Sequence, residues 1–253
     1  MSPTFADITP AAAARLLRDG PVALRGRVKQ MGAATDGIPP GDATAVVAVE
    51  EVLAAPRTFP DVGGRDVTII LKGPARRGEH AVFLVRSWTY GTTIGVVETA
   101  RVGGIRSTDK ARSLFAEAVR HKEETLLRER ISGAEVVVAG VVVETRPAGE
   151  RAKTKIDTEH APQWWEAMID VEEVFKGDPE RRLVVLFPTS TDEIWIDCPK
   201  LQKGLRAIFV LRRDQQERGG PGLWAPGLTA LEPIDVQPVE DAERIRGLTR
   251  KSR

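Results

Sequence analysis

Three short stretches of this chain occur twice, once in each half and in the same order. Residues 22–28 resemble 136–142, residues 49–52 resemble 171–174, and residues 78–85 resemble 204–211. Each match alone is weak, because valine-rich stretches resemble one another by chance, but three matches in order are much harder to obtain that way. The distance between the copies increases along the chain, as small loop insertions would produce. The sequence therefore predicts two tandem copies of one folding unit.

Each half also contains a series of short apolar stretches separated by glycine and proline. Stretches of this kind, rich in β-branched residues and bounded by turn residues, predict β-strands. The predicted strands are residues 22–31, 44–53, 66–72, 80–88 and 94–102 in the first half, and 134–145, 164–175, 182–187, 205–212 and 227–235 in the second. About five short strands per unit suit a small closed barrel better than a sandwich. We therefore predict an all-β protein with short helices.

Helical signals lie before, between and after the two predicted barrels. Pro10 predicts the start of a helix that ends at Gly20. Apolar residues recur at helical spacing after Thr108 and stop at Gly133, and residues 239–248 predict a last helix. The predicted organisation is a helical segment at 1–20, a first barrel at 21–106, a linker helix at 107–133, a second barrel at 134–236, and a helix with a basic tail at 237–253. Each barrel is thus followed by a helix.

Four motifs in the second half carry a family resemblance. They are Val-Ala-Gly-Val-Val at 138–142, Ile-Asp-Val-Glu-Glu-Val-Phe-Lys-Gly-Asp at 169–178, Cys-Pro-Lys-Leu-Gln-Lys-Gly at 198–204, and Ala-Ile-Phe-Val at 207–210. A strand that ends near Lys-Gly, followed by a cysteine shortly before a glycine-bounded strand, resembles the netrin-like or TIMP-like module. The resemblance covers 134–236 directly and 21–102 through the repeat. It implies two tandem OB-like five-stranded barrels, a fold used mainly as a binding platform.

The chain departs from that family in two ways. Family members are commonly secreted and disulfide-bonded, whereas Cys198 is the single cysteine here. Metalloprotease inhibitors of the family chelate zinc through an N-terminal cysteine, whereas this sequence begins Met-Ser-Pro. The resemblance therefore implies a fold and a binding role, and it does not imply inhibition of zinc proteases by that route.

Composition limits the classes of function. The chain carries 37 basic and 36 acidic side chains, for a formal charge of +1, whereas nucleic-acid-binding domains usually have a marked basic excess. It has no apolar run as long as a membrane span and no secretory signal at its start. With one cysteine, these features favour a reducing, cytoplasmic setting. The lack of asparagine among abundant alanine, arginine, valine and glycine is typical of a GC-rich bacterial genome.

The sequence predicts no catalytic, metal-binding or cofactor-binding residues. His80, His121 and His160 are far apart, and no pair of histidines or cysteines has metal-ligand spacing. The glycine-rich phosphate-binding motifs are missing. We expect Cys198 to be a buried, reduced thiol that fills apolar space. The protein is therefore predicted not to be an enzyme and to need no cofactor.

Two glutamate pairs stand at matched positions, each between two valines, at 49–52 and 171–174. Strict strand alternation would place the two carboxylates of a pair on opposite faces, which disfavours a shared proton site. We therefore predict that they face solvent. A β-bulge at each pair would allow both flanking valines to face the core.

Adjacent tryptophans give the most suggestive local pattern for binding. In a strand at 164–175, alternation directs Trp165 inward with Ala167 and Ile169, and directs Trp164 outward with Met168. An outward tryptophan beside methionine is typical of an interface anchor. The alternative is that an adjoining loop or helix covers Trp164.

The sequence predicts a non-enzymatic intracellular binding or scaffold protein whose partner is another protein. The predicted partner-binding residues are Trp164, Met168, Trp88, Tyr90 and Arg86. Single-stranded nucleic-acid binding is the alternative, since OB-type barrels stack bases on aromatic residues between basic ones. Trp88 and Tyr90 near Arg86 suggest such a site, together with basic residues at Arg25, Arg27, Lys29, Arg76 and Arg77. An enzyme, the third class, would require a deep pocket with convergent polar groups.

Overall fold

The computed structural model describes residues 8–35, 37–57, 59–90, 93–104, 107–149, 162–190, 195–213 and 227–250, with side chains except at 88–90 and 93–94. The chain divides into two compact units, Met1–Thr125 and Leu126–Arg253. This division falls inside the helix that the sequence predicts as a linker. Each unit is described below by itself.

Unit 1 begins with a helix and continues with five strands. The elements are α1 (Pro10–Asp19), β1 (Val22–Met31), β2 (Thr44–Ala54), β3 (Asp66–Ile70), β4 (His80–Tyr90), β5 (Thr93–Gly103) and the first part of α2 (Thr108–Gly133). The predicted start and stop of α1 are confirmed. The hydroxyl of Thr9 accepts a hydrogen bond from the backbone N–H of Ala12, and the N–H of Gly20 donates to Leu16.

Unit 2 takes the second part of α2 and continues with strands and a last helix. Its elements are β6 (Val136–Pro147), β7 (Gln163–Lys176), β8 (Arg182–Thr189), β9 (Arg206–Arg213), β10 (Leu228–Thr229), β11 (Val236–Gln237) and α3 (Ala242–Arg250), with short 3₁₀ turns at Pro233–Asp235 and Val239–Asp241. The predicted strand at 227–235 is wrong beyond its first residues. Asp235 accepts backbone N–H groups from Leu231 and Glu232, and these bonds turn the chain between β10 and β11.

Unit 1 is a closed five-stranded barrel. The strands pair in the order β1-β2-β3-β5-β4, and β4 pairs with β1 to close the ring. β3 and β5 run parallel, and the other neighbours are antiparallel. The barrel interior is filled mainly by valine and other aliphatic side chains around Phe83. The prediction of a mostly β fold with helices and a closed five-stranded barrel is therefore confirmed.

The strands of unit 2 pair in a corresponding order. They form a six-stranded sheet in the order β10-β8-β7-β6-β9-β11, and β10 also pairs with β9. The pairings of β6, β7, β8, β10 and β9 consequently run in a ring. β8 and β10 are parallel, as β3 and β5 are in unit 1. A separate apolar core fills unit 2 around Phe187 and Phe209.

Matched glycines occupy equivalent places in the two units. Gly26 pairs with Val49 between β1 and β2, and Gly140 pairs with Val171 between β6 and β7. A β-carbon at either glycine would stand 2.5 Å from a carbonyl oxygen on the neighbouring strand. Glycine is required at these two positions because the strands approach too closely for any side chain.

The start of the fourth strand is also matched between the units. The N–H of Gly78 donates to the carbonyl of Val28 at 2.8 Å, and the N–H of Gly204 donates to that of Val142 at 2.7 Å. Both glycines have positive φ, at 84° and 90°. The three stretches that recur in the sequence therefore lie on strands of equal rank in the two units.

Helices cover the outer side of the first and fourth strands in each unit. In unit 1, α1 and the first part of α2 pack on Ala23, Val82 and Leu84. In unit 2, the last part of α2 and α3 pack on Val137, Ile208 and Val210. The outward side chains of β7 and β8 around Met168 and Val184 do not belong to this helix-covered cluster.

Candidate surface for partner binding

Trp164 is buried, which corrects the expectation that it is exposed. Its side chain is only 8% exposed, and its ring packs edge-on against Trp195 with 5.8 Å between ring centres. The rest of this cluster comprises Ala148, Leu186, Cys198 and Leu231. Trp165 packs on the core of unit 2, so its inward direction is as predicted. Segments distant in sequence therefore cover the outward side of β7 at this end, and the exposure that a binding role for Trp164 required is absent.

Polar groups near this cluster hold the covering segment in place. Cys198 is a buried thiol, as predicted, and its Sγ donates to the carbonyl oxygen of Leu231 at 2.9 Å. The Nζ of Lys200 donates to the carbonyl oxygens of Pro188 and Trp195 at 2.9 and 2.8 Å. Burial lowers the pKa of Lys200 below the ordinary lysine value. These contacts give the cluster a structural role.

Further along β7, the outer face is partly exposed. Met168 lies between Glu144 on β6 and Val184 on β8, and Val184 is 44% exposed. We define the open face as the outward residues of β6, β7 and β8 around this point, namely Glu144, Arg146, Glu166, Met168, Asp170, Arg182 and Val184. Met168 is the one predicted partner-binding residue in this group. The centre of the open face is apolar, and its border is charged.

The arginines of the open face are paired across strands. The Nε of Arg146 donates to Glu166 at 3.0 Å, and the Nε of Arg182 donates to Asp170 at 2.7 Å. The bond to Asp170 raises the pKa of Arg182 above its ordinary value. Each positive charge of the face is therefore already matched by a carboxylate of the neighbouring strand.

The equivalent face of unit 1 is covered by its own chain. Val46 pairs with Thr68 there, as Met168 pairs with Val184 in unit 2. The backbone N–H of Thr35 donates to the hydroxyl of Thr68 at 2.7 Å, and the two hydroxyl oxygens lie 2.8 Å apart. Thr68 is fully buried as a result. The connection between β1 and β2 thus occupies the place that is open around Val184.

The glutamate pairs lie at β-bulges, as predicted. The register of β1 against β2 skips Glu50, and the register of β6 against β7 skips Glu172. Val174 is 47% exposed, so the expectation that it faces the core is wrong. Val52, its counterpart, packs partly on the core of unit 1.

Each glutamate pair makes ion pairs that the sequence pattern did not indicate. Glu50 pairs with Arg25 and lies 3.2 Å from Nδ1 of His80, while Glu51 bonds Arg112 on α2. In unit 2, the corresponding pairs are Glu172 with Arg206 at 2.9 Å and Glu173 with Arg246 of α3 at 2.6 Å. In each unit, one of these ion pairs therefore connects the second strand to the helix that follows the strands.

The remaining predicted residues do not assemble into one site. Arg86 is exposed, and its Nε donates to the carbonyl oxygen of Asp19. Trp88 and Tyr90 lie on β4, but their side chains fall outside the described part of the structure. Of the basic residues, Arg25 and Lys29 are in ion pairs with carboxylates, whereas Arg27, Arg76 and Arg77 are exposed.

The described part of the chain contains neither a metal-binding cluster nor a membrane-spanning helix. Within the described ranges, no three histidine, cysteine or acidic side chains are grouped so that they could hold a metal ion. His160 lies outside those ranges. No helix in the described part of the chain is long and apolar enough to cross a membrane. A comparison of the sequence with models of known protein families and with curated proteins finds no match.

Proposed function

We propose that this chain is a non-enzymatic binding protein of the cytoplasm, built from two OB-type barrels of the netrin-like or TIMP-like kind. The strand order and the parallel pairing of the third and fifth strands support an OB-type assignment for both units. The matched pairs Gly26–Val49 and Gly140–Val171 support an origin by duplication.

The partner-binding surface is the open face of unit 2. The observation that carries this proposal is the apolar centre formed by exposed Val184 and half-buried Met168, within a border of paired charges. Protein interfaces combine an apolar centre with a polar rim in this way. OB-type barrels commonly bind through their second and third strands, which here are β7 and β8. In unit 1, Thr35 covers the equivalent position, Thr68. This surface is therefore available to a partner in unit 2 and not in unit 1.

The charges of the open face favour a protein partner over nucleic acid. Single-stranded nucleic acid requires cations available to phosphates and aromatic side chains on which bases stack. On the open face, Arg146 and Arg182 are bound to carboxylates, and its apolar residues are Met168 and Val184. The residues Trp88, Tyr90 and Arg86 define the alternative, a nucleic-acid site on β4.

The test replaces Val184 by glutamate and uses Val174→Glu as the matched control. Both valines lie on strands of unit 2 with similar exposure, at 44% and 47%. A charge at the centre of an interface should weaken partner binding by about 2 kcal/mol, which is about thirtyfold in affinity. Proteins that co-purify from the native cell with tagged wild-type chain and with each variant are quantified by mass spectrometry. Binding to fluorescent oligodeoxythymidine is measured in parallel.

Loss of the same co-purifying protein from Val184→Glu, with retention by Val174→Glu, is the expected result. Equal retention by both variants would contradict the assignment of the open face. Tight oligonucleotide binding that Arg86→Ala weakens would support the nucleic-acid alternative instead.

A further inference from the structure

A cleft adjoins the open face at the beginning of β8. It has a volume of about 470 Å³ and lies against the connection between β7 and β8, the start of β6, the end of β9 and the start of β10. Val184 and Arg182 belong to both the cleft and the open face. The two features therefore form one continuous surface of unit 2. Its volume is within the range of pockets that enclose a side chain or a small ligand.

The cleft is lined by both apolar and charged side chains, and acidic residues outnumber basic ones. Val136, Val184 and Leu228 line it together with five charged side chains, Glu135, Asp178, Glu180, Arg182 and Arg213. Arg182 bonds Asp170, which is outside the cleft, and Arg213 lies 3.5 Å from Glu135.

Asp178 and Glu180 supply the remaining charge. Both are exposed, and within the described part of the chain neither has an ion-pair partner. Because Arg182 and Arg213 each lie against another carboxylate, Asp178 and Glu180 are the charges left to a ligand, beside the apolar side chains of the cleft. Such a combination fits a long side chain that has an aliphatic stem and a cationic end.

We propose that the cleft receives a lysine or arginine side chain from an extended segment of the protein partner. The aliphatic stem packs on Val136 and Leu228, and the cation lies between Asp178 and Glu180. The apolar residues of the same segment lie on Met168 and Val184. This inference rests on the proposed function, because it names the chemistry of the partner that the open face binds.

The probe is a pair of short synthetic peptides with the same apolar residues and opposite charge, acetyl-Val-Lys-Val-Lys-amide and acetyl-Val-Glu-Val-Glu-amide. The full ¹⁵N-labelled chain is titrated with each peptide. We expect saturable shifts of the backbone amide signals of Asp178, Glu180 and Leu228 with the basic peptide, which decrease as salt is added. Shifts of similar size with the acidic peptide, or shifts confined to other parts of the chain, would overturn the proposal.

The double variant Asp178→Asn, Glu180→Gln should bind the basic peptide about tenfold more weakly, because two rim charges are removed. The control Asp42→Asn, Glu240→Gln changes the net charge equally at exposed positions away from the cleft and should bind as the wild type does. Unchanged binding by the cleft variant would also overturn the inference. If Val184→Glu loses the cellular partner while the cleft variant keeps it, the open face stands and only the basic-segment inference fails.

Discussion

At the scale of single residues, a buried ion pair holds the turn between β10 and β11 of unit 2. Asp235 is fully buried and accepts hydrogen bonds from Nε and an Nη of Arg130 at 2.5 and 2.6 Å. It also accepts the N–H groups of Leu231 and Glu232. Burial raises the pKa of Asp235 above its ordinary value, while Arg130 and the backbone donors oppose that rise. Breaking such a pair is costly because it leaves an uncompensated buried charge.

Replacing Arg130 by methionine should destabilise the fold by about 3–5 kcal/mol at neutral pH. Removing Arg130 raises the pKa of Asp235 further, so the loss of stability relative to wild type is largest at high pH and shrinks as the pH falls through the pKa of Asp235 in the variant. Urea unfolding between pH 4 and 8 measures the difference between variant and wild type. In an Asp235→Asn background, the effect of Arg130→Met should not vary with pH. A constant penalty in both backgrounds would show that Asp235 does not carry the pH dependence.

Trp164→Ala should destabilise the protein by about 3–5 kcal/mol, because the substitution opens a cavity against Trp195. Trp164→Phe should cost less, since the Nε1–H of Trp164 has no hydrogen-bond partner among the described residues. Thermal or urea unfolding of the two variants checks the order. An alanine variant as stable as the wild type would mean that the ring is exposed in solution.

Trp164 and Trp165 also show what strand alternation can and cannot predict about a single residue. Alternation along β7 correctly directs Trp165 to the core. It says which side Trp164 faces but not what covers that side. The cover is Trp195, Cys198 and Leu231, which come from segments later in the chain. The direction of a side chain on a strand therefore follows from the local sequence, whereas its exposure depends on which distant segments pack against that side.

At the scale of elements, the two units use the same device where the first two strands meet. A bulge in the second strand places one glutamate of each pair outside the regular ladder, and a glycine on the first strand pairs with the valine before that glutamate. The absence of a side chain at Gly26 and Gly140 lets the strands approach closely. Bulges increase local twist, which a small ring of strands needs to close.

Gly26→Ala and Gly140→Ala should each destabilise the fold by about 1–3 kcal/mol, because the new methyl group would press on a carbonyl oxygen of the neighbouring strand. Gly41→Ala is the control, since no atom lies within 4 Å of the added β-carbon and φ is not positive there. Urea unfolding compares the three variants. An effect at Gly26 without one at Gly140 would argue against equivalent strand pairs in the two units.

Most elements could be predicted because their signals are local. Alternation, β-branched residues and turn glycines indicated β1 to β9 within a few residues of their observed ends. The predicted strand at 227–235 is wrong because β10 has only two residues. Asp235, which is bonded to Arg130, then turns the chain. That partner lies on α2, and a local pattern contains no sign of it.

At the scale of the whole molecule, the two units have the same order of helices and strands and differ in the exposure of one surface. Each has a helix before its strands and a helix after them, and α2 contributes one part to unit 1 and the other to unit 2. Thr35 covers Thr68 in unit 1, whereas Val184 is exposed at the equivalent place in unit 2. The sequence repeat could indicate the shared plan. The difference could not be read from it, because it depends on where the connection after β1 lies.

Photocrosslinking in the native cell tests whether the open face binds a protein partner. Benzoylphenylalanine replaces Val184 in one chain and Val174 in another, both at exposed valines of unit 2. We expect a protein adduct of one defined size from position 184 and no such adduct from position 174. A nucleic-acid adduct from position 184, or the same protein adduct from both positions, would contradict it.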